Sequence, residues 1–216
     1  MMSVIPNLQK FPIFLGIFLI TAPLGLPYKA AAMAQDGVTR PAEFIQGLAD
    51  EAISVLSDQR GTIDKREEKF RTVLRDDFAM KKIGRFAAGK YWRSMSAKQK
   101  RLYQNLFEEW ILKTYSIRFG GYSGETVKVL RTFKAGAKDV FVRTQIDSSK
   151  RQSIRVDWRV RRIDERFKII DVVVEGVSML VTQKAEFSAV LRQRGIDGLI
   201  TILRSQLDRL DAAKPS

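Results

Sequence analysis

Residues Arg166 to Ile200, RFKIIDVVVEGVSMLVTQKAEFSAVLRQRGIDGLI, place a strand and two helices within one short stretch. Phe167 to Val174 is rich in β-branched residues and bounded by charge, as a strand is. Glu175-Gly176 breaks it. After a short apolar run, Gln183 to Arg194 carries apolar residues at helical spacing and stops at Gly195, a residue suited to a left-handed helix end. A second helix, Asp197 to Leu210, starts at once. The repeated theme is apolar surface, and no pattern of catalytic residues accompanies it. Strand and helix therefore share one folding unit.

Upstream of Phe167 the apolar period is two as far back as Glu125. Thr126 to Phe133, Asp139 to Ile146 and Ser153 to Ile163 read as three further strands. Lys134-Ala135-Gly136, Asp147-Ser148-Ser149 and Asp164-Glu165 separate them, and turns this short join antiparallel neighbours into a meander. The third strand alternates most clearly. Ile154, Val156, Trp158 and Val160 point one way, and Arg155, Asp157, Arg159 and Arg161 the other. Val140, Val142 and Ile146 repeat the apolar side on the neighbouring strand. A sheet with one apolar and one basic face needs helices over the former.

The first half of the chain supplies them. Pro41 is placed in a first helical turn, followed by Phe44, Ile45, Leu48, Ala52, Ile53 and Leu56 at helical spacing. Further amphipathic stretches run from Ile63 to Leu74 and from Phe78 towards Ala88. Ser96-Ala97-Lys98-Gln99 is a capping box opening a long helix to about Ile117. Gly120-Gly121-Tyr122-Ser123-Gly124 is the turn that ends it. The fold class is α+β: N-terminal helices packed on one face of a curved four-stranded antiparallel sheet, with two C-terminal helices.

The first 34 residues read as a secretory signal peptide. Lys10 precedes an apolar segment from Phe11 to Ile20, and Ala32-Met33-Ala34 fits cleavage before Gln35. Pro12, Pro23 and Pro27 argue against a membrane span. No Cys follows the cleavage point, so a lipoprotein anchor is not expected. Residues 35–216 then form a single domain, large enough to bury about 70% of its unfolded surface. The sequence holds no Cys and no His. That removes the usual zinc ligands, any thiol nucleophile and the usual base of a hydrolytic triad. The formal net charge is +14. On an exported chain this points to anionic membrane surfaces or acidic proteins rather than to nucleic acid.

Three features look catalytic and are discounted. Gly176-Val177-Ser178 lacks the second glycine of a nucleophile elbow and has no His to activate Ser178. Ser178 is expected to satisfy backbone groups at the strand end. Asp171 and Glu175 share a strand face, but an exposed or salt-bridged role for these carboxylates near Lys168 or Arg166 is favoured over an acid/base pair. The Gly120 cluster lacks the Lys and the context of a phosphate loop.

The order of residues after the third strand resembles the MlaC family of toluene-tolerance proteins. The resemblance rests on Phe167-Lys168-Ile169, Asp171-Val172, Val174-Glu175-Gly176-Val177-Ser178, Glu186-Phe187 and Gly195-Ile196-Asp197-Gly198-Leu199-Ile200. It spans most of residues 41 to 207 and is specific from about Gly121 onward. Phe167 stands where the family pattern has Trp, and Thr182-Gln183-Lys184 replaces Asn-Tyr-Arg.

The resemblance implies a periplasmic lipid carrier with no cofactor or metal and no enzymatic activity. It would hold phospholipid acyl chains in an apolar pocket between sheet and helices. The implied lining is Val142, Val156, Trp158 and Ile169 from the sheet, Phe107, Ile111 and Tyr115 from the long helix, and Met179 and Phe187 after the last strand. The implied partners are an inner-membrane ABC transporter with a lipid-binding ring and an outer-membrane lipoprotein complex, with transient membrane-surface contact. A hopanoid or other polycyclic lipid is the alternative cargo. The residues alone leave open a filled core in place of the pocket, and a small pocket enzyme, an isomerase or hydrolase on an apolar substrate.

Overall fold

The computed structural model describes residues 36–58, 62–119, 122, 124–149 and 151–212. The expected leader (residues 1–34) and Gly120, Gly121 and Ser123 of the expected glycine turn lie outside the described residues.

Four helices come first: α1 (Asp36–Ser57), α2 (Ile63–Asp77), α3 (Met80–Ala88) and, after a 3₁₀ turn at Gly89–Arg93, α4 (Ala97–Phe119). The helix around Pro41 begins at Asp36, before the start the sequence suggests. Pro41 itself is fully buried. Thr62 caps α2, its hydroxyl accepting from the Lys65 N–H at 3.3 Å. The capping box of α4 forms in both directions. The Gln99 N–H donates to Ser96 Oγ at 3.1 Å, and the Ser96 N–H donates to Gln99 Oε1 at 3.0 Å.

Five antiparallel strands follow in chain order: β1 (Thr126–Ala135), β2 (Asp139–Asp147), β3 (Ile154–Ile163), β4 (Arg166–Val174) and β5 (Val177–Ser178). The sheet thus has one strand more than the period-two reading gives. Glu175 (φ 47°) and Gly176 (φ 83°) both adopt positive φ and turn the chain back so that Val177 and Ser178 pair with Val174 and Val173. Asp164 (φ 47°) and Glu165 (φ 64°) make the same kind of two-residue turn between β3 and β4.

α5 (Met179–Ala212) completes the chain. It is helical on both sides of Gly195, whose φ of 64° and ψ of −169° interrupt it. The two C-terminal helices of the sequence reading are the two halves of this broken helix. It starts at Met179 rather than Gln183 because the strand β4 caps it. Asp171 accepts from the Leu180 N–H at 3.1 Å and from Ser178 Oγ at 2.7 Å, and Ser178 Oγ accepts from the Val181 N–H at 3.0 Å. Asp171 is therefore buried and committed to the helix start. It is not the exposed or salt-bridged carboxylate that the sequence suggests.

The apolar residues gather in three clusters. In the helical one, Tyr103, Phe107, Phe187, Leu191, Leu199 and Leu203 pack α4 against α3 and both halves of α5. On the sheet, Val142, Val160 and Ile169 pack beneath Ile45 of α1. In the third, Phe70, Leu74, Met80 and Leu112 join α2 to α4.

Candidate functional site

The inner face of the sheet is built by cross-strand rows. Val142 pairs with Trp158 and Trp158 with Val172, while Val140 pairs with Val160 and Val160 with Ile169. α1 covers the β1 and β2 side of this face. At β4 the link between α2 and α3 holds the helical layer to the sheet. Phe78 bridges Ile169 in parallel, and the Ala79 N–H donates to the Ile169 carbonyl at 2.9 Å. The backbone of α4 packs chiefly on α5, α2 and α3.

Several apolar side chains of the two layers remain half-buried. Trp158, Phe167 and Val172 lie on the sheet side, with Phe78 at the junction and Ile111 and Tyr115 on α4. Phe78 touches both the sheet cluster and the α2–α4 cluster, and Ile111 joins the latter to the helical cluster. The Trp158 indole N–H donates to Thr144 Oγ1 at 2.9 Å, and Thr144 Oγ1 donates on to the Val156 carbonyl at 3.3 Å. The ring is thereby held in place with its polar atom satisfied, so what it offers the seam is hydrocarbon.

The nine residues named from the sequence divide sharply. Phe107, Val142 and Ile169 are 0% exposed, Phe187 2% and Val156 4%. Phe107 and Phe187 meet edge to face with ring centroids 6.1 Å apart, between helices rather than opposite the sheet. Ile111, Tyr115, Trp158 and Met179 are half-buried. Phe78, Phe167 and Val172 are half-buried as well and are not among the lining residues expected from the sequence. Periodicity assigns Phe78 to a helix start, and nothing in an alternating strand separates a filled position from an unfilled one.

The outer face of the sheet is basic in sequence and compensated in the structure. Asp139, only 3% exposed, accepts from Arg159 Nε at 2.8 Å and from Arg161 Nε at 2.5 Å. Arg143 forks onto Asp157 with two bonds of 2.6 Å. Arg155 pairs with Glu175, and Arg162 with Glu165. Phe133 and Phe141 stack at 5.3 Å, with Arg131 and Arg143 over the first ring and Arg159 over the second. Burial pushes the Asp139 carboxyl up, but the hydrogen bonds from Arg161 and Arg159 outweigh it and hold it below the usual range. Hydrogen bonds from Ser153, Gln145 and Lys128 bring Asp147 down to about 2. Glu175 faces Arg155 and Asp171 caps α5, so these carboxylates do not form an acid/base pair.

The family model for the MlaC protein matches residues 46–205. The chain belongs to the MlaC family. The match reaches back through the helices α1 to α4, where sequence motifs are least specific. An MlaC of Haemophilus influenzae, an intermembrane phospholipid transport system binding protein, is 25% identical over an alignment of 172 residues that covers 76% of this chain and 80% of that protein. The structure of the phospholipid-binding protein from Ralstonia solanacearum, in complex with a phospholipid, shares the fold with a TM-score of 0.71 at 20% identity. The alignment covers 79% of this chain and 98% of that one. Where the family pattern has Trp, this MlaC family member has Phe167, tilted against Phe44 of α1 at a centroid distance of 6.1 Å.

Proposed function

We propose that this protein is a periplasmic phospholipid carrier whose acyl-chain slot is the seam between the inner sheet face and α4. One observation carries the reading. Trp158, Phe167, Val172, Phe78, Ile111 and Tyr115 are half-buried apolar side chains of the sheet and the helical layer, while the helical cluster beside them is buried. The phospholipid named for the relatives from Haemophilus influenzae and Ralstonia solanacearum gives the occupant. Residues 1–34 serve as a cleaved signal, and residues 35–216 act as one domain in the periplasm.

The energetics suit carriage without catalysis. Each buried CH₂ gains about 0.8 kcal/mol, so two tails of ~16 carbons gain roughly 25 kcal/mol against water. A bilayer offers the tails a similar gain, so exchange between membrane and carrier is close to balanced. The protein then supplies a dry slot and docking, with an ABC transporter at the inner membrane and a lipoprotein complex at the outer membrane as its partners. Ser178 and Asp171 are consumed in capping α5, which leaves neither available as a nucleophile or proton carrier.

Native mass spectrometry of the exported protein, followed by lipid extraction, tests the reading. The wild type should carry a diacyl phospholipid. Trp158→Arg and the slot-filling Val172→Trp should lose it while retaining the wild-type circular dichroism. A protein that stays empty after incubation with phospholipid vesicles would overturn the carrier. A co-purified hopanoid would keep the slot and replace the cargo.

A further inference from the structure

The second concentration of positive charge lies on the helical side, and it is organised differently from the sheet. Between Met80 and Phe107 the sequence contains eight Lys and Arg and no Asp or Glu. α3 buries Met80, Gly84, Ala87 and Ala88 and turns Lys81, Lys82, Arg85 and Phe86 outward on one face. Phe86 is 43% exposed. Lys184 of α5 reaches over its ring at 4.7 Å, and Val181, one turn earlier on α5, is 57% exposed. Lys90 follows on the 3₁₀ turn. None of Lys81, Lys82, Arg85, Lys90 or Lys184 forms an ion pair with a described residue, whereas Arg143, Arg155, Arg159, Arg161 and Arg162 on the sheet all do.

We propose that this face of α3, with the first turns of α5, is a membrane-docking surface that seats on an anionic bilayer. Phe86 and Val181 enter the headgroup layer, and the surrounding cations face its negative charge. Unpaired cations keep their field, and each one brought to an anionic leaflet raises the partition coefficient roughly fivefold. Two protruding apolar side chains among cations match a fluid interface, which shapes itself around them. An acidic protein would instead demand a larger complementary surface. Among the described residues no helix is long and apolar enough to cross a membrane, so the contact is interfacial. The surface does not depend on the slot, because it lies outside the sheet-facing seam.

Co-sedimentation of the exported protein with extruded vesicles tests the proposal. Binding is expected to vesicles of phosphatidylcholine with about 30% phosphatidylglycerol, to weaken steeply with salt, and to be absent with phosphatidylcholine alone. The double variant Lys82→Glu/Arg85→Glu should bind at least about 30-fold more weakly. Phe86→Ser should weaken binding about tenfold at every salt concentration, since it removes the salt-independent part. Arg151→Glu, in the β2–β3 connection, should bind as the wild type does. The proposal is overturned if the wild type ignores anionic vesicles, if Arg151→Glu loses as much as the α3 variants, or if the α3 variants lose only a protein partner and keep vesicle binding. Co-purified lipid read on the same variants separates the two claims. Lipid retained without vesicle binding removes docking alone, and vesicle binding by an empty protein removes the carrier alone.

Discussion

Tyr103, Phe107 and Phe187 meet between α3, α4 and α5 with at most 2% exposure, whereas Trp158, Phe167 and Val172, of comparable apolar size, stay half-buried along the sheet. Side-chain chemistry does not separate the two groups. Backbone approach does. In the helical region Gly84 lets α3 close on α4, since a Cβ there would lie 2.9 Å from Phe107 Cδ1, and the Tyr103 hydroxyl donates to the Gly84 carbonyl at 2.9 Å. Over the sheet, α4 is held mainly to other helices, and at β4 the helical layer is tied down by the Phe78–Ile169 bridge. One region is packed for stability, and the other keeps apolar surface that its own chain does not cover.

The largest effect should come from emptying the packed side. Phe107→Ala is expected to cost about 4 kcal/mol, read as the loss of urea stability, because its void is walled by helices that cannot collapse into it. Next is Gly195→Ala, at about 2–3 kcal/mol. Its backbone lies in a region that only glycine occupies without strain. The break lets the second half of α5 bring Leu199 and Leu203 onto α4, so thermal unfolding of this variant should also lose cooperativity.

Asp139→Asn probes the sheet without touching either apolar region and is expected to cost about 2 kcal/mol through its charged hydrogen bonds. The carboxyl is held below its unfolded value near 3.9, so its contribution is complete above about pH 4 and is lost as pH falls through the folded value. Asp147 acts with the same sign, down to about 2. The urea midpoint of the wild type should fall from pH 4 downward, and Asp139→Asn should flatten that slope. The smallest stability effect belongs to the seam. Val172→Ala should cost under about 1 kcal/mol, since the side chain is only half-buried, yet it should speed release of bound lipid. A cost near that of Phe107→Ala would erase the distinction between the two regions.

Much of this architecture is visible in the sequence because it rests on period and punctuation. Strand limits follow from alternation and from Asp164-Glu165 and Glu175-Gly176, and the start of α4 follows from Ser96 and Gln99. Two things escape. β5 is a two-residue pairing too short to carry a period. Asp171 caps a helix from a strand, its side-chain carboxylate accepting from a backbone N–H nine residues on, which no local pattern encodes. The proposed slot is the harder case. Phe107 and Tyr115 lie two turns apart on α4 and read alike, but one is buried against Phe187 and the other is half-buried beside the α2–α4 cluster. Whether an apolar residue is covered depends on where the next layer stops. The sheet's outer arginines illustrate the same limit, since Asp139 and Asp157 compensate them only once strands are in register.

The strand order carries a consequence for assembly. Every strand pairs with its immediate neighbour in the chain, so the meander closes through short turns at small entropic cost. Its inner face, however, is roofed by α1, and Ser57 is separated from Thr126 by three helices. The sheet can therefore form early with its apolar side bare, and the slowest closure is the return of the first helix to the first strand. Until then the β1 and β2 part of the inner face is open to any neighbouring chain, which makes α1 the part of the protein that guards it against aggregation.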